Sequence, residues 1–136
     1  HYHLGQVLYT GKDFFVIDFE GDATRTLSER RMKRSPLRDI AGMLQSFHYA
    51  VHYALDSEVE SGMIHPEQST RMQEWALFWE YWVSAAFLNA YLTTASQDGF
   101  LPKTQQELKA LLDNYLLERA IHDLGYELTH RPEKVK

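Results

Sequence analysis

Apolar positions fall first in two short runs and then at helical spacing. Val7-Leu8-Tyr9 and Phe14 to Ile17 flank Thr10-Gly11-Lys12-Asp13, which predicts a β-hairpin from about Gln6 to Asp18 with Gly11 in the turn. Asp22 to Ser35 is charged and irregular, with a short helix expected near Ser28-Glu29-Arg30-Arg31 and Ser28 as its N-cap. Ser35-Pro36 then reads as the start of a long helix, with Ser at the N-cap and Pro at the first helical position. Ile40, Met43, Leu44, Phe47 and Val51 recur at spacings of three and four and give it one apolar face, to about Leu55. Asp56 to His65 is polar, contains Gly62 and reads as a loop.

Pro66 opens a second helix, expected to end near Ala95 and to be closed by Gln97-Asp98-Gly99. It is apolar nearly all round from Trp75 onward, so it is expected to be the central, most buried helix. Thr104-Gln105-Gln106-Glu107 fits a capping box that starts a third helix, which Pro132 stops. Leu108, Leu111, Leu112, Tyr115 and Leu116 form one stripe on it, and Leu117, Ile121, Leu124 and Leu128 a second, so two covered faces are expected. The fold class is therefore mainly α with a small N-terminal β-hairpin. A lone hairpin is marginal in water, so it must rest on the helices. One domain over 1–136 is expected: the hairpin at 1–21, a helical body at 22–131 and a charged tail at 132–136.

Composition and charge sharpen this picture. The 136 residues are 44% hydrophobic, enough for a buried core. A net charge of −5 argues against a broad nucleic-acid surface. The one basic cluster, Arg30, Arg31, Lys33 and Arg34, reads as a solvated helix face, with phosphate contact as the alternative. Cysteine is absent, which excludes disulfides and thiolate metal sites and permits a reducing compartment. His1-Tyr2-His3 has neither the basic region nor the apolar run of a signal peptide, so a cytoplasmic location is expected. Trp75 to Leu92 contains Glu80 and spreads its Trp and Tyr along its length, so a core helix is favoured over a membrane span.

Few residue sets carry recognisable chemistry. His48 and His52 share a helix face, but no Glu follows His48. The zinc-protease pattern is therefore absent, and the pair reads as packing or surface histidines, with a metal pair as the alternative. His1 and His3, with Asp18, would serve a metal-dependent hydrolase. Neither G-x-G-x-x-G, nor the phosphate loop with Lys, nor G-x-S-x-G has a match. Gln6 and Asp18 remain. A carboxylate ending an apolar strand, with a neighbouring amide oxygen, suits a hard cation. Tyr49, Tyr53, Trp75 and Trp79 are of the type that stacks on sugars, but at helical spacing such residues are more often core. Glu80 in its apolar helix must be paired or face a cavity.

Four motifs follow one another in order: His3-Leu4-Gly5-Gln6-Val7-Leu8, Val16-Ile17-Asp18-Phe19-Glu20-Gly21, Leu27-Ser28-Glu29-Arg30-Arg31, and Ser35-Pro36-Leu37-Arg38-Asp39-Ile40-Ala41-Gly42-Met43. With Tyr126-Glu127-Leu128 and Arg131-Pro132-Glu133 near the end, the chain resembles the C-terminal lobe of bacterial maltokinases, including the maltokinase-like region fused behind trehalose synthase. The resemblance implies the C-terminal lobe of a protein-kinase-like fold of the aminoglycoside-phosphotransferase type. It implies transfer of the γ-phosphate of ATP to maltose, with Mg2+ as cofactor, in α-glucan and trehalose metabolism. It assigns Gln6 and Asp18 as magnesium ligands and Asp39 as the residue that buttresses the catalytic loop. It leaves Tyr49, Trp75, Trp79 and Glu80 as candidate sugar contacts.

The family's catalytic loop reads His-Gly-Asp-Tyr/Leu-His-Leu-Gly-Gln, so its catalytic Asp falls on His1. The catalytic set is thus not intact. The nucleotide-covering N-terminal lobe is the missing partner, and the isolated chain is expected to be inactive and to bind neither ATP nor Mg2+ usefully. An alternative is a non-catalytic pseudo-kinase module attached to a trehalose synthase. Apolar surface uncovered near the hairpin is expected to support a homodimer.

Overall fold

The computed structural model describes residues 2–19, 26–97 and 99–132. Among these, a short antiparallel hairpin precedes four helices. Strands β1 (Val7–Tyr9) and β2 (Phe14–Val16) pair in the register Val7↔Val16, Leu8↔Phe15, Tyr9↔Phe14. The turn closes because the Thr10 N–H donates to the Asp13 carbonyl at 3.0 Å and Gly11 takes a φ of 87°, which a side chain would resist. The helices are α1 (Leu27–Arg31), α2 (Leu37–Glu60), α3 (Pro66–Ala95) and α4 (Gln105–His130). No helix among the described residues is long and apolar enough to cross a membrane.

Local chemistry explains the helix starts. Helix α2 starts at Leu37, one residue later than expected, so Pro36 precedes the helix; the Ser35 hydroxyl still accepts from the Leu37 N–H at 3.3 Å, and the Arg38 N–H reaches the Ser35 carbonyl at 3.1 Å. Thr104 and Glu107 form the expected reciprocal capping box at the start of α4. Helix α1 differs from expectation. Its N-cap is Thr26, not Ser28, and Thr26 forms a capping box with Glu29. Helix α2 also continues past Leu55 to Glu60, because Asp56 to Glu60 contains no breaker; the chain turns only at Gly62, with a φ of 77°.

The chain divides into two compact units, one of His1–Gln45 with Pro102–Lys136 and one of Ser46–Leu101. In the first unit the buried apolar side chains are Leu37, Ile40, Ala41 and Met43 of α2 and Leu112 of α4. The two covered faces expected of α4 are not found: in the first stripe Leu112 is buried but Leu111 is exposed, and Leu117, Ile121, Leu124 and Leu128 of the second are exposed. Two polar residues, Gln6 and Asp123, are buried in the same unit. Asp123 is held by the Arg119 guanidinium one turn earlier, at 2.9 Å. An Arg38–Glu118 ion pair at 3.0 Å joins α2 to α4.

The second unit holds the rest of α2 and all of α3. Phe47 is its anchor, meeting Trp79 and Phe87 edge-on at centroid distances of 6.4 and 5.6 Å. The expectation that α3 is the most buried helix is corrected. Trp75, Leu77, Phe78, Tyr81 and Trp82 are all more than half exposed. A helix with one helical neighbour in its unit can cover one face only, so an apolar surface that runs all round stays open on the others. The most buried stretch is instead the start of α2.

Candidate metal site at the hairpin

Residue Gln6 is placed by a single 3-10 turn, Leu4–Gln6, and not by a strand as expected. His3 caps that turn: its Nδ1 accepts from the Gly5 N–H at 3.1 Å, and its carbonyl accepts from the Gln6 N–H at 2.9 Å. Gln6 is left buried, at 6% exposure, immediately before β1. Its carbonyl accepts from the Ile17 N–H at 2.9 Å, which extends the ladder by one bond and aligns residue 6 with the end of β2.

Asp18 leaves that strand end in the left-handed region, with a φ of 63°, the only described non-glycine residue that does so. Asp tolerates this conformation better than most residues, yet it is still strained. The bend returns the Asp18 carboxylate to Gln6. The Gln6 amide nitrogen donates to Asp18 Oδ2 at 3.1 Å and to the Asp18 carbonyl at 3.2 Å. The two residues assigned as magnesium ligands, twelve positions apart, are therefore in direct contact.

The donor set fits a small hard cation. A carboxylate and an amide oxygen are the ligand types Mg2+ takes, and Mg2+ fills its other positions with water and phosphate oxygens. The Gln6 amide now presents its NH2 end to Asp18, so holding a cation requires a half-turn of the amide to present oxygen. Asp18 is exposed, leaving its second oxygen open to such a ligand.

Asp39 lies in the first turn of α2 and is exposed. It lines a cavity of about 50 Å³ with Tyr2, Arg38, Gly42, Glu118 and Arg119 among its walls. That volume holds a few waters and no sugar or nucleotide. Gly42 sits so close to the loop before the hairpin that a Cβ on it would stand 2.6 Å from the Tyr2 carbonyl oxygen. The start of α2 thus seats the segment that carries His3 and Gln6. Burial, and then the Arg119 guanidinium, hold the His3 imidazole below its usual pKa, with Asp18 and Asp123 opposing in part. A neutral ring suits its role as a hydrogen-bond acceptor at Nδ1.

The other expected residues fall elsewhere. His1, and Glu20 and Gly21 of the Asp-Phe-Glu-Gly motif, lie outside the described residues. Tyr49, Trp75, Trp79 and Glu80 belong to the second unit. Tyr49 and Trp75 are exposed and do not form the core that their spacing suggests, whereas Trp79 is partly exposed and meets the buried Phe47 edge-on. Glu80 is paired, as an acid in an apolar helix must be: both its oxygens lie near His48 Nδ1, at 3.0 and 3.2 Å. Sequence reasoning singled out each partner but not the pair, because the register of α3 against α2 is a tertiary property. The Arg119–Asp123 pair was missed although its i,i+4 spacing was there to be read. No family model matches the chain.

Proposed function

We propose that Gln6 and Asp18 are the magnesium-holding half of a maltokinase-type phosphotransfer site, in the C-terminal lobe of a kinase-like fold. The observation that carries this is the direct contact of Gln6 with Asp18, which the 3-10 turn, the extended ladder and the left-handed Asp18 together produce. Bound Mg2+ would neutralise phosphate oxygens, which is the larger part of what phosphoryl transfer asks of a protein. Gln6 and Asp18 supply the oxygens. Gly42 positions the loop through Tyr2, and Asp39 lines the same cavity as Tyr2.

On this reading ATP is covered by an N-terminal lobe, and maltose accepts the phosphate. The hairpin side chains Leu8, Tyr9, Phe14 and Phe15 are exposed, and this apolar surface is what the reading assigns to that lobe, or to a second copy when the lobe is absent. The reading also places His1 where the family has its catalytic Asp, so these 136 residues do not carry an intact catalytic set. The test is maltose-dependent ATP consumption by the full gene product. Asp18→Asn is expected to lower the rate by about a hundredfold or more, the scale of losing a group that stabilises transition-state charge. An unchanged rate would overturn the assignment.

A further inference from the structure

The second unit contains a cluster that the phosphotransfer reading does not use. His48 and His52 stand one turn apart on α2, with ring centroids 4.4 Å apart. Glu80 on α3 faces them and contacts His48 Nδ1 at 3.0 Å. One ligand atom from each of the three lies within 4.8 Å of the others. His52 and Glu80 are half-buried and His48 is exposed, so the cluster is shielded on one side and open on the other.

We propose that His48, His52 and Glu80 form a divalent transition-metal site of the zinc type that ties α2 to α3. Two imidazoles and one carboxylate are a borderline donor set. They suit zinc and disfavour Mg2+ and Ca2+, which take oxygen ligands. Three protein ligands leave a fourth position for water, reached from the open side of His48. Donor atoms on a tetrahedral zinc ion at about 2.0–2.1 Å stand roughly 3.3 Å apart. The present spacing, within 4.8 Å, is wider than this, so binding draws the three ligand atoms together. Without metal, the Glu80 carboxylate contacts His48, and the His52 ring lies against the His48 ring. A cation at their centre gives both rings a shared partner.

The test is isothermal titration of the whole chain with zinc chloride, with circular dichroism to check folding. The expected result is one zinc per chain. Affinity should fall by at least about tenfold in His52→Ala and in Glu80→Gln, the lower end of what loss of even an outer-shell partner does. A His3→Ala variant, which removes a histidine of the N-terminal segment, should bind as the wild type does. Zinc should raise the melting midpoint of the wild type and leave that of His48→Ala/His52→Ala unmoved. If that double variant does not fold, Glu80→Gln decides, because it preserves the shape of the side chain. The absence of equimolar binding at micromolar zinc overturns the proposal. So does binding that survives Glu80→Gln unchanged, or that is lost with His3→Ala.

Discussion

Replacing Gly42 by Ala tests whether α2 seats the loop that carries Gln6. An added Cβ would stand 2.6 Å from the Tyr2 carbonyl oxygen, whereas ordinary contact begins at 3.4 Å. The obstacle is backbone, so no flexible side-chain tip can swing away; α2 or the loop must move by the better part of an ångström. Overpacking of this kind costs roughly 1–3 kcal/mol. Against it stands the better helix propensity of Ala over Gly, about 1 kcal/mol. The net effect expected is a loss of up to about 2 kcal/mol. Gly125 in α4 is the internal control, since a Cβ there meets nothing within 4 Å. Gly125→Ala keeps the propensity gain and should stabilise by up to about 1 kcal/mol. The difference between the two variants isolates the clash, because the propensity term is common to both. Urea denaturation midpoints at equal slope measure it, and amide exchange at Gln6 should quicken in Gly42→Ala alone. Equal stabilisation by both substitutions would refute the seating of the loop on α2.

Two further outcomes follow from the local chemistry. Thr104→Ala removes the hydroxyl that accepts from the Glu107 N–H and should lower stability by about 1 kcal/mol in urea unfolding. Thr26→Ala breaks the same motif on the five-residue α1, whose residues are all exposed, and should leave the global midpoint unmoved. His3 contributes to acid sensitivity. Its folded pKa lies below the unfolded value of 6.5, so the folded form prefers the neutral ring. That contribution is complete above the unfolded pKa and is lost as the pH falls below it toward the folded pKa. His3→Asn retains a capping acceptor without a titrating group, so its stability should fall less steeply than the wild type's between about pH 7 and pH 5. Identical slopes would show that His3 is not the group responsible.

Local signals in the sequence were reliable where a backbone group has one partner available. The Pro66 start and Ala95 end of α3, the Thr104–Glu107 box and the Gly11 turn all follow from such signals. The end of α2 was less legible because its apolar periodicity stops at Val51 while the helix continues through residues that are only polar, not helix-breaking. Burial was the least legible property. Trp75 to Leu92 is apolar on every side, yet composition does not say how many neighbours a helix has, and α3 leaves its aromatic side chains open. At the candidate site, the pairing of Gln6 with Asp18 was legible from the motif order, but the means was not. A 3-10 turn capped by His3 and a left-handed Asp have no simple periodicity to reveal them. The His48–His52–Glu80 cluster needed the register between two helices, which no spacing along one chain segment encodes.

On the proposed function, Asp18 and Gln6 hold the magnesium of a sugar phosphotransfer site. The most direct measurement is formation of maltose 1-phosphate from ATP and maltose by the full gene product at saturating Mg2+, wild type against Asp18→Asn. Asn retains the left-handed backbone and an acceptor for the Gln6 amide while removing the charge. Product is expected from the wild type, and at least about a hundredfold less from the variant at unchanged thermal stability. No product from the wild type, or equal rates from both proteins, would contradict it.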